Sequence, residues 1–267
     1  MSKSQTLAIQ LKKDVVNMLN RAQASHTGGC LSCLDIVSVL YQEILNIKPN
    51  KPKSPNRDRL ILSSGHNGPT VFSALANKGF FPKSWLKTFT QNKGKISVHI
   101  DSHGIPGVEL STGSLGHGLS VGVGMAISLK YRKTKANVII LLSDGEMNTG
   151  STWEAVMFAS HHKLNNIISV VDKNKIQSFG RTKEIIDLDP LGRKWKSFGW
   201  KVYEVDGHNH KKLKETFLRA KKSRTKPVVI ICDTIKGKGI KDMEDKLISH
   251  YRPPTDEETK TIMEEIK

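Results

Sequence analysis

Cysteine is scarce: Cys30, Cys33 and Cys232 are the only three in 267 residues, an odd and sparse set that excludes the disulfide framework of a secreted domain. Long apolar runs are missing too. The longest, Asn137 to Leu142 and Pro227 to Cys232, fall far short of the ~20 residues that span a bilayer. The amino terminus, MSKSQTLAIQLKKDVV, lacks the apolar stretch and small-residue cleavage site of a signal peptide, and a cytoplasmic location is expected. Acidic residues are in deficit, 25 against 42 Lys and Arg, which leaves a formal charge of +17. Such a surplus suits a nucleic-acid binder. Aromatics, however, make up only 6% of the chain, and the basic residues spread through helical stretches such as Lys211 to Lys226 instead of interleaving with aromatics. Solvated basic faces are therefore expected, with nucleic acid and membrane excluded as partners.

With 37% hydrophobic residues, the chain has enough apolar material for a substantial core. Short β-branched runs alternate with helical periodicity, which predicts an α/β fold: a parallel sheet with helices on both faces, in three layers. Strands are expected at Arg59–Ser63, Asn137–Leu142, Asn166–Val171, Trp200–Val205 and Val228–Asp233, and helices at Thr70–Lys78, Ser114–Lys133, Ser151–Lys163 and His210–Ser223. Two further helices, Gln5–Ala24 and Leu31–Leu45, precede the sheet, and a loop after Lys236 leads to a terminal helix from about Asp256. The C-x-x-C of Cys30 and Cys33 runs into an apolar helical pattern and has no second C-x-x-C to complete a zinc site, so both read as small buried helix residues. The only linker-like stretch, Lys48 to Pro55, comes too early to divide two domains, and residues 1–267 read as one domain.

Chemistry concentrates where strands end. Val138–Leu142 runs directly into Ser143-Asp144-Gly145, and the next strand ends in Asp172-Lys-Asn174-Lys-Ile176. Open α/β sheets bind ligands at that carboxyl edge. A carboxylate, an amide oxygen and a backbone carbonyl suit Mg2+, which takes few protein oxygens and leaves its other positions to phosphate and water. Gly145 lets backbone approach a phosphate closely. Gly145 and Gly150 have the spacing of a phosphate loop, but no Lys-Ser or Lys-Thr follows, which argues against an ATPase-type loop. Gly116, Gly118, Gly122 and Gly124 follow no convincing strand and lack the acidic residue of a dinucleotide site. They read as small residues that permit close helix packing at an interface.

The stretch from S-D-G-E-M-N-T-G to D-K-N-K-I-Q resembles the G-D-G…N motif of thiamine-diphosphate enzymes, with Ser143 in place of the first glycine, which bears no ligand atom. The resemblance implies that Asp144, Asn174 and the carbonyl of Ile176 bind the metal and that Gly145 contacts the diphosphate. Histidine contexts narrow the family. Ala24-Ser-His26-Thr-Gly28, Ser64-Gly65-His66-Asn-Gly68, His99 ahead of Gly107-Val-Glu109, and His250 after Gly237-Lys-Gly239 are similar to transketolase, as is Gly107-Val-Glu-Leu-Ser-Thr-Gly113-Ser-Leu-Gly-His-Gly118. By that resemblance Gly113, Ser114 and Leu115 lie against the cofactor. His66 and His250 reach the diphosphate or the reacting carbon, and His26 and His99 contact the donor sugar. Imidazole donates or accepts protons near neutral pH and so suits a ketose carbonyl and its hydroxyls. His103, His117, His161, His162, His208 and His210 carry no such context and read as surface or satisfied core residues.

The resemblance covers His26 to His250 but only about the first third of a full-length transketolase. It implies an amino-terminal subunit of a split transketolase, transferring a two-carbon ketol unit between sugars. A second chain would supply the pyrimidine-binding domain and the activating glutamate, in an α2β2 heterotetramer. Three alternatives stand beside it: the first subunit of a 2-oxo acid dehydrogenase decarboxylase, a deoxyxylulose-phosphate synthase fragment, and a non-catalytic basic scaffold.

Overall fold

The computed structural model describes residues 1–265. Five strands, β1 (Arg59–Leu62), β2 (Val138–Ser143), β3 (Ile167–Lys173), β6 (Lys201–Asp206) and β7 (Val228–Asp233), form one sheet in the order β1-β2-β3-β7-β6. Every pairing in it is parallel. Strand β2, with a neighbour on each side, is buried along its whole length, which is why it reads as an unbroken apolar run and not as an alternation.

Successive side chains serve opposite faces. Leu60, Leu62, Ile139, Leu141, Ile168, Val170, Val228 and Ile230 pack against α1 (Lys3–Ala22), α2 (Thr27–Ser32), α3 (Leu34–Val39), α4 (Gly68–Asn77) and α9 (His210–Ala220). Ile61, Val138, Ile140, Leu142, Ile167, Val171 and Val229 pack against α5 (Gly118–Tyr131), α6 (Gly150–His161) and α8 (Leu191–Ser197). The expected three layers are present. The second layer's core includes Trp195 and Trp200, fully buried with ring centroids 4.8 Å apart.

Each expected strand exists, Val228–Asp233 with the same bounds and the others with one or both ends shifted by one or two residues. The helices differ more. The Leu31–Leu45 helix is instead α2 and α3, broken at Cys33, followed by a π-turn over Leu40–Ile44. The Gln5–Ala24 helix begins two residues earlier, because Ser2 caps it and exchanges a capping box with Gln5. It ends at Ala22, where Gln23 turns left-handed and its N–H closes back onto the helix. Helix α5 begins at Gly118 and not at Ser114. Gly116 has φ of +90°, a left-handed conformation that a helix cannot contain. A short antiparallel hairpin, β4 (Ile176–Gln177) with β5 (Gly180–Arg181), the turn α7 (Thr182–Ile185) and α8 were not expected from the sequence. Helix α10 (Asp256–Glu265) is the anticipated terminal helix. Cys30, Cys33 and Cys232 are buried and free, and burial pushes the Cys30 thiol up to about 12. In the α5 glycine series, a Cβ on Gly118 would strike Ser63 and one on Gly122 would strike Ile140, while one on Gly124 would meet open space. Close packing on the sheet thus explains the first two.

Candidate active site

Three chain turns and one long loop meet beyond the carboxyl ends of β1, β2 and β3. β1 leads into the 3-10 turn Gly65–Asn67, which carries His66. β2 ends at Ser143, after which Asp144 turns the chain with its own carboxylate receiving the N–H of Gly145 at 2.8 Å. β3 ends at Lys173, just before Asn174. The loop from His99 to Leu115 closes the side. Together they enclose a cavity of about 180 Å³.

His26, His66, His99 and His250, far apart in sequence, line this cavity together with Gly113, Leu115, Asp144, Gly145, Asn174 and Ile176. Ring centroids lie 5.1 Å apart for His26 and His66, 4.9 Å for His26 and His250, and 6.0 Å for His26 and His99. His26 stands at the amino end of α2 in a left-handed conformation, φ +72°. Its N–H donates to the carbonyl of His250 at 2.9 Å, so the two histidine segments are fastened to each other directly. Ser114 is exposed and does not line the cavity. His103, His117, His161 and His162 are exposed, and His208 and His210 bond to Asp35 outside the cavity.

Asp144 is 1% exposed, Asn174 4% and Ile176 3%, so the oxygen-bearing residues sit at the cavity floor. Among the described residues, Asp144 is the only carboxylate lining it. One of its oxygens also accepts the N–H of Lys175 at 2.5 Å, and the N–H of Ile176 donates to Asn174 Oδ1 at 3.2 Å. The sequence reading missed Lys236. This buried lysine donates from Nζ to the Ile176 carbonyl at 2.6 Å and lies 3.2 Å from His250 Nδ1. Its only local signal is its place just before the Gly237-Lys-Gly239 bracket. Gly29, Asn67, Ser143, Gln177 and Ser178 complete the lining.

Burial governs the electrostatics. Desolvation, with the neighbouring Asp172 carboxylate, pushes Asp144 up to about 6. Desolvation lowers Lys236 to about 8, against the pull of Asp144 and Asp172. It also depresses His26 to about 4, with His99 and Lys236 adding to it. His250 falls to about 3 from burial, then Lys236 and His26, and His66 falls well below its ordinary value from burial and the other histidines. At neutral pH these three rings are uncharged, able to donate from one nitrogen and accept at the other.

The cavity has the features of a polar ligand site. His26 and Asn67 line it, and His26 Nδ1 and Asn67 Oδ1 are buried with no hydrogen-bond partner among the described residues, a state that native structures rarely leave uncompleted. The donor set of one carboxylate, one amide oxygen and one carbonyl is all oxygen, as a hard cation such as Mg2+ requires. Among the described residues no cluster of three His, Cys, Asp or Glu side chains offers a softer alternative. Asp144, Asn174 and Ile176 would hold the ion, with Gly145 and Lys236 facing an attached phosphate.

One pH dependence arises from the rings themselves. Their folded pKa values lie below the unfolded value, so the unfolded chain binds more protons and stability falls as pH drops below about 6.5. Asp144, Glu146 and Asp172, whose pKa values burial raises, work the other way, so the contribution of the imidazoles is read by comparing the parent with a variant that lacks one of them. From pH 7 to pH 5 the melting temperature of the ligand-free parent should fall more steeply than that of H66N, which lacks one of the depressed rings and should flatten that slope. An unchanged slope in H66N by differential scanning calorimetry would show that His66 is charged or solvated in the fold.

A parallel sheet that gathers oxygens, a lysine and imidazoles at its carboxyl edge places this chain among α/β domains that bind ligands at their strand ends. Residues 4–266 match the family described as "Transketolase, thiamine diphosphate binding domain", and the chain belongs to that family, one of transferases. It is 38% identical over 257 residues to the 6-deoxy-6-sulfo-D-fructose transketolase subunit of Clostridium sp. (strain MSTE9), covering 96% of this chain and 94% of that protein. It is 40% identical over 256 residues to an apulose-4-phosphate transketolase subunit of Actinobacillus succinogenes, covering 96% and 92% respectively. The crystal structure of transketolase from Campylobacter jejuni superimposes with a TM-score of 0.89 at 30% identity, covering 99% of this chain but only 42% of that one.

Proposed function

We propose that residues 1–267 form one diphosphate- and Mg2+-binding unit, the amino-terminal subunit of a cytoplasmic two-chain transketolase that moves a two-carbon ketol unit from a ketose or its phosphate to an aldose or its phosphate. The observation that carries this reading is the convergence of His26, His66, His99 and His250 over Asp144, Asn174 and Ile176 in one cavity. Thiamine diphosphate, when bound, supplies the electron sink for cleaving the carbon–carbon bond next to a carbonyl. Asp144, Asn174 and the Ile176 carbonyl hold Mg2+. The Gly145 backbone, Lys236 and His66 would face the diphosphate. His26 and His99 would bond to the donor's carbonyl and hydroxyls, and His250 would reach the region of the reacting carbon; an imidazole can donate from one nitrogen and accept at the other.

Two features favour a partner. Asp144 is committed to the cation, and among the described residues no other carboxylate lines the cavity to move the activating proton; a glutamate from a second chain would fill that role. Helices α5 and α6 pack together yet leave Val121, Ile127, Tyr131, Met157 and Phe158 exposed, and α5 is apolar around its circumference, which fits a helix covered on both sides. Relatives named as transketolase subunits match this chain over nearly their whole length. Two copies of each chain in a closed α2β2 assembly follow from symmetry.

The test is reconstitution. The purified chain alone should transfer no two-carbon units, and activity should appear when a pyrimidine-domain subunit is added. Full turnover by the isolated chain would refute the split arrangement. Turnover of pyruvate in place of fructose 6-phosphate by the reconstituted pair would replace the transketolase reading with a 2-oxo acid decarboxylase.

A further inference from the structure

We propose that Asp172 is a positioning residue that turns the amide of Asn174 so that its oxygen faces the cation. The inference rests on Asp144, Asn174 and Ile176 being the Mg2+ donor set. An asparagine presents two nearly isosteric ends, an oxygen that ligates metal and an NH2 that repels it, so its surroundings must choose between them.

The choice is visible in the contacts. Asp172 lies near the end of β3, opposite Ser143 in the strand register, and is 1% exposed. Its Oδ1 accepts the hydroxyl of Thr234, and its Oδ2 accepts the hydroxyl of Ser32. Oδ2 also receives Asn174 Nδ2 at 3.3 Å, and the same Nδ2 donates to Ser32 Oγ at 3.3 Å. The other end of the amide, Oδ1, accepts the Ile176 N–H at 3.2 Å and keeps a lone pair for the cavity. Turning the amide over would set its oxygen against a buried carboxylate and its NH2 against an N–H. Three segments distant in sequence, at Ser32, Asp172 and Thr234, thus hold the ligand oriented, in the way that groups behind a metal site commonly orient the ligands themselves.

Orientation and charge are separable by experiment. The full-length chain is titrated with Mg2+ at saturating thiamine diphosphate, binding is followed by calorimetry, and folding by melting temperature. D172A should weaken Mg2+ by about 10- to 100-fold. D172N, which lacks the charge but still offers an oxygen to Asn174 Nδ2, should recover most of that loss. S32A removes an acceptor of the amide and should weaken Mg2+ several-fold, whereas T234V removes a bond on the far oxygen and should leave affinity within about twofold. A merely structural role predicts equal effects for S32A and T234V, tracking stability. The proposal is overturned if folded D172A binds Mg2+ like the parent, if D172N is as weak as D172A, or if T234V matches S32A; should D172A not fold, the last comparison decides alone. If the parent chain shows no Mg2+-dependent binding of thiamine diphosphate, the donor-set reading falls and the inference with it.

Discussion

Replacing Asp144 with alanine should abolish Mg2+-dependent loading of thiamine diphosphate, with Mg2+ affinity falling by at least ~100-fold. Among the described residues, Asp144 is the sole carboxylate at the cavity. Without it the cation is left with an amide oxygen and a carbonyl, both neutral, and a hard divalent ion does not give up its water for those alone. The same change should alter the fold's stability little, because the two N–H bonds it removes, from Gly145 and Lys175, are offset by relief of a buried charge. Burial holds Asp144 near 6, above its unfolded value, so at pH 7.5 the folded state bears an ionised, desolvated carboxylate that costs stability. That cost is present above the folded pKa and disappears as pH falls toward the unfolded one. D144N removes the charge but sets an NH2 against one of the two backbone N–H groups, of Gly145 and Lys175, that the carboxylate accepts, so the two effects oppose each other and it should melt within a few degrees of the parent at pH 7.5 while failing to load cofactor. A D144N chain that loads cofactor normally would remove this residue from the metal site; one that unfolds would show the carboxylate to be structural.

The second large effect is expected at Gly65, where β1 gives way to the His66 turn. A Cβ there would lie 2.2 Å from the carbonyl oxygen of Thr112 and 2.5 Å from its carbon. Both are backbone atoms, and neither wall can yield by a side-chain rotation. The Gly65 carbonyl also accepts the N–H of Ile100 at 3.0 Å, so the turn and the loop from His99 to Leu115 are held at backbone contact. G65A must part them, moving His66 from Gly113 and Leu115 across the cavity. Overpacking of this kind costs about 1–3 kcal/mol. Cofactor affinity should fall further than stability does, by about 10-fold or more, because a displacement near 1 Å disrupts a preorganised site. G65A that melts with the parent and loads cofactor equally would show that the two walls move freely.

Much of the fold was legible because parallel strands buried on both faces appear as continuous apolar runs. β2 and β7 are such runs, and their ends located Asp144 and the edge where ligands gather. Helix ends were less legible. Gly116 looks like any helix-tolerated glycine until its left-handed φ stops α5 short of Ser114, and the break at Cys33, with φ −85° and ψ 0°, has no proline or glycine at that residue to mark it. The hairpin β4–β5 pairs too few residues for periodicity to register.

In the site, sequence alone determined the residues whose meaning is local: Asp144 and Gly145 at a strand end, Asn174 and Ile176 two residues apart after the next strand, and histidines set among glycines. Their convergence was decided only by tertiary structure, since His26 and His250 meet through a backbone bond across almost the whole chain. So were Lys236 and Asp172. Lys236 is one basic residue among 42, distinguished only by a contact with Ile176 across 60 positions. Asp172 gains its role from Ser32 and Thr234, which the sequence holds 140 and 62 positions away. Ligand type is set by side-chain chemistry and short-range spacing, whereas ligand orientation and pKa depend on burial and on neighbours that only folding brings together.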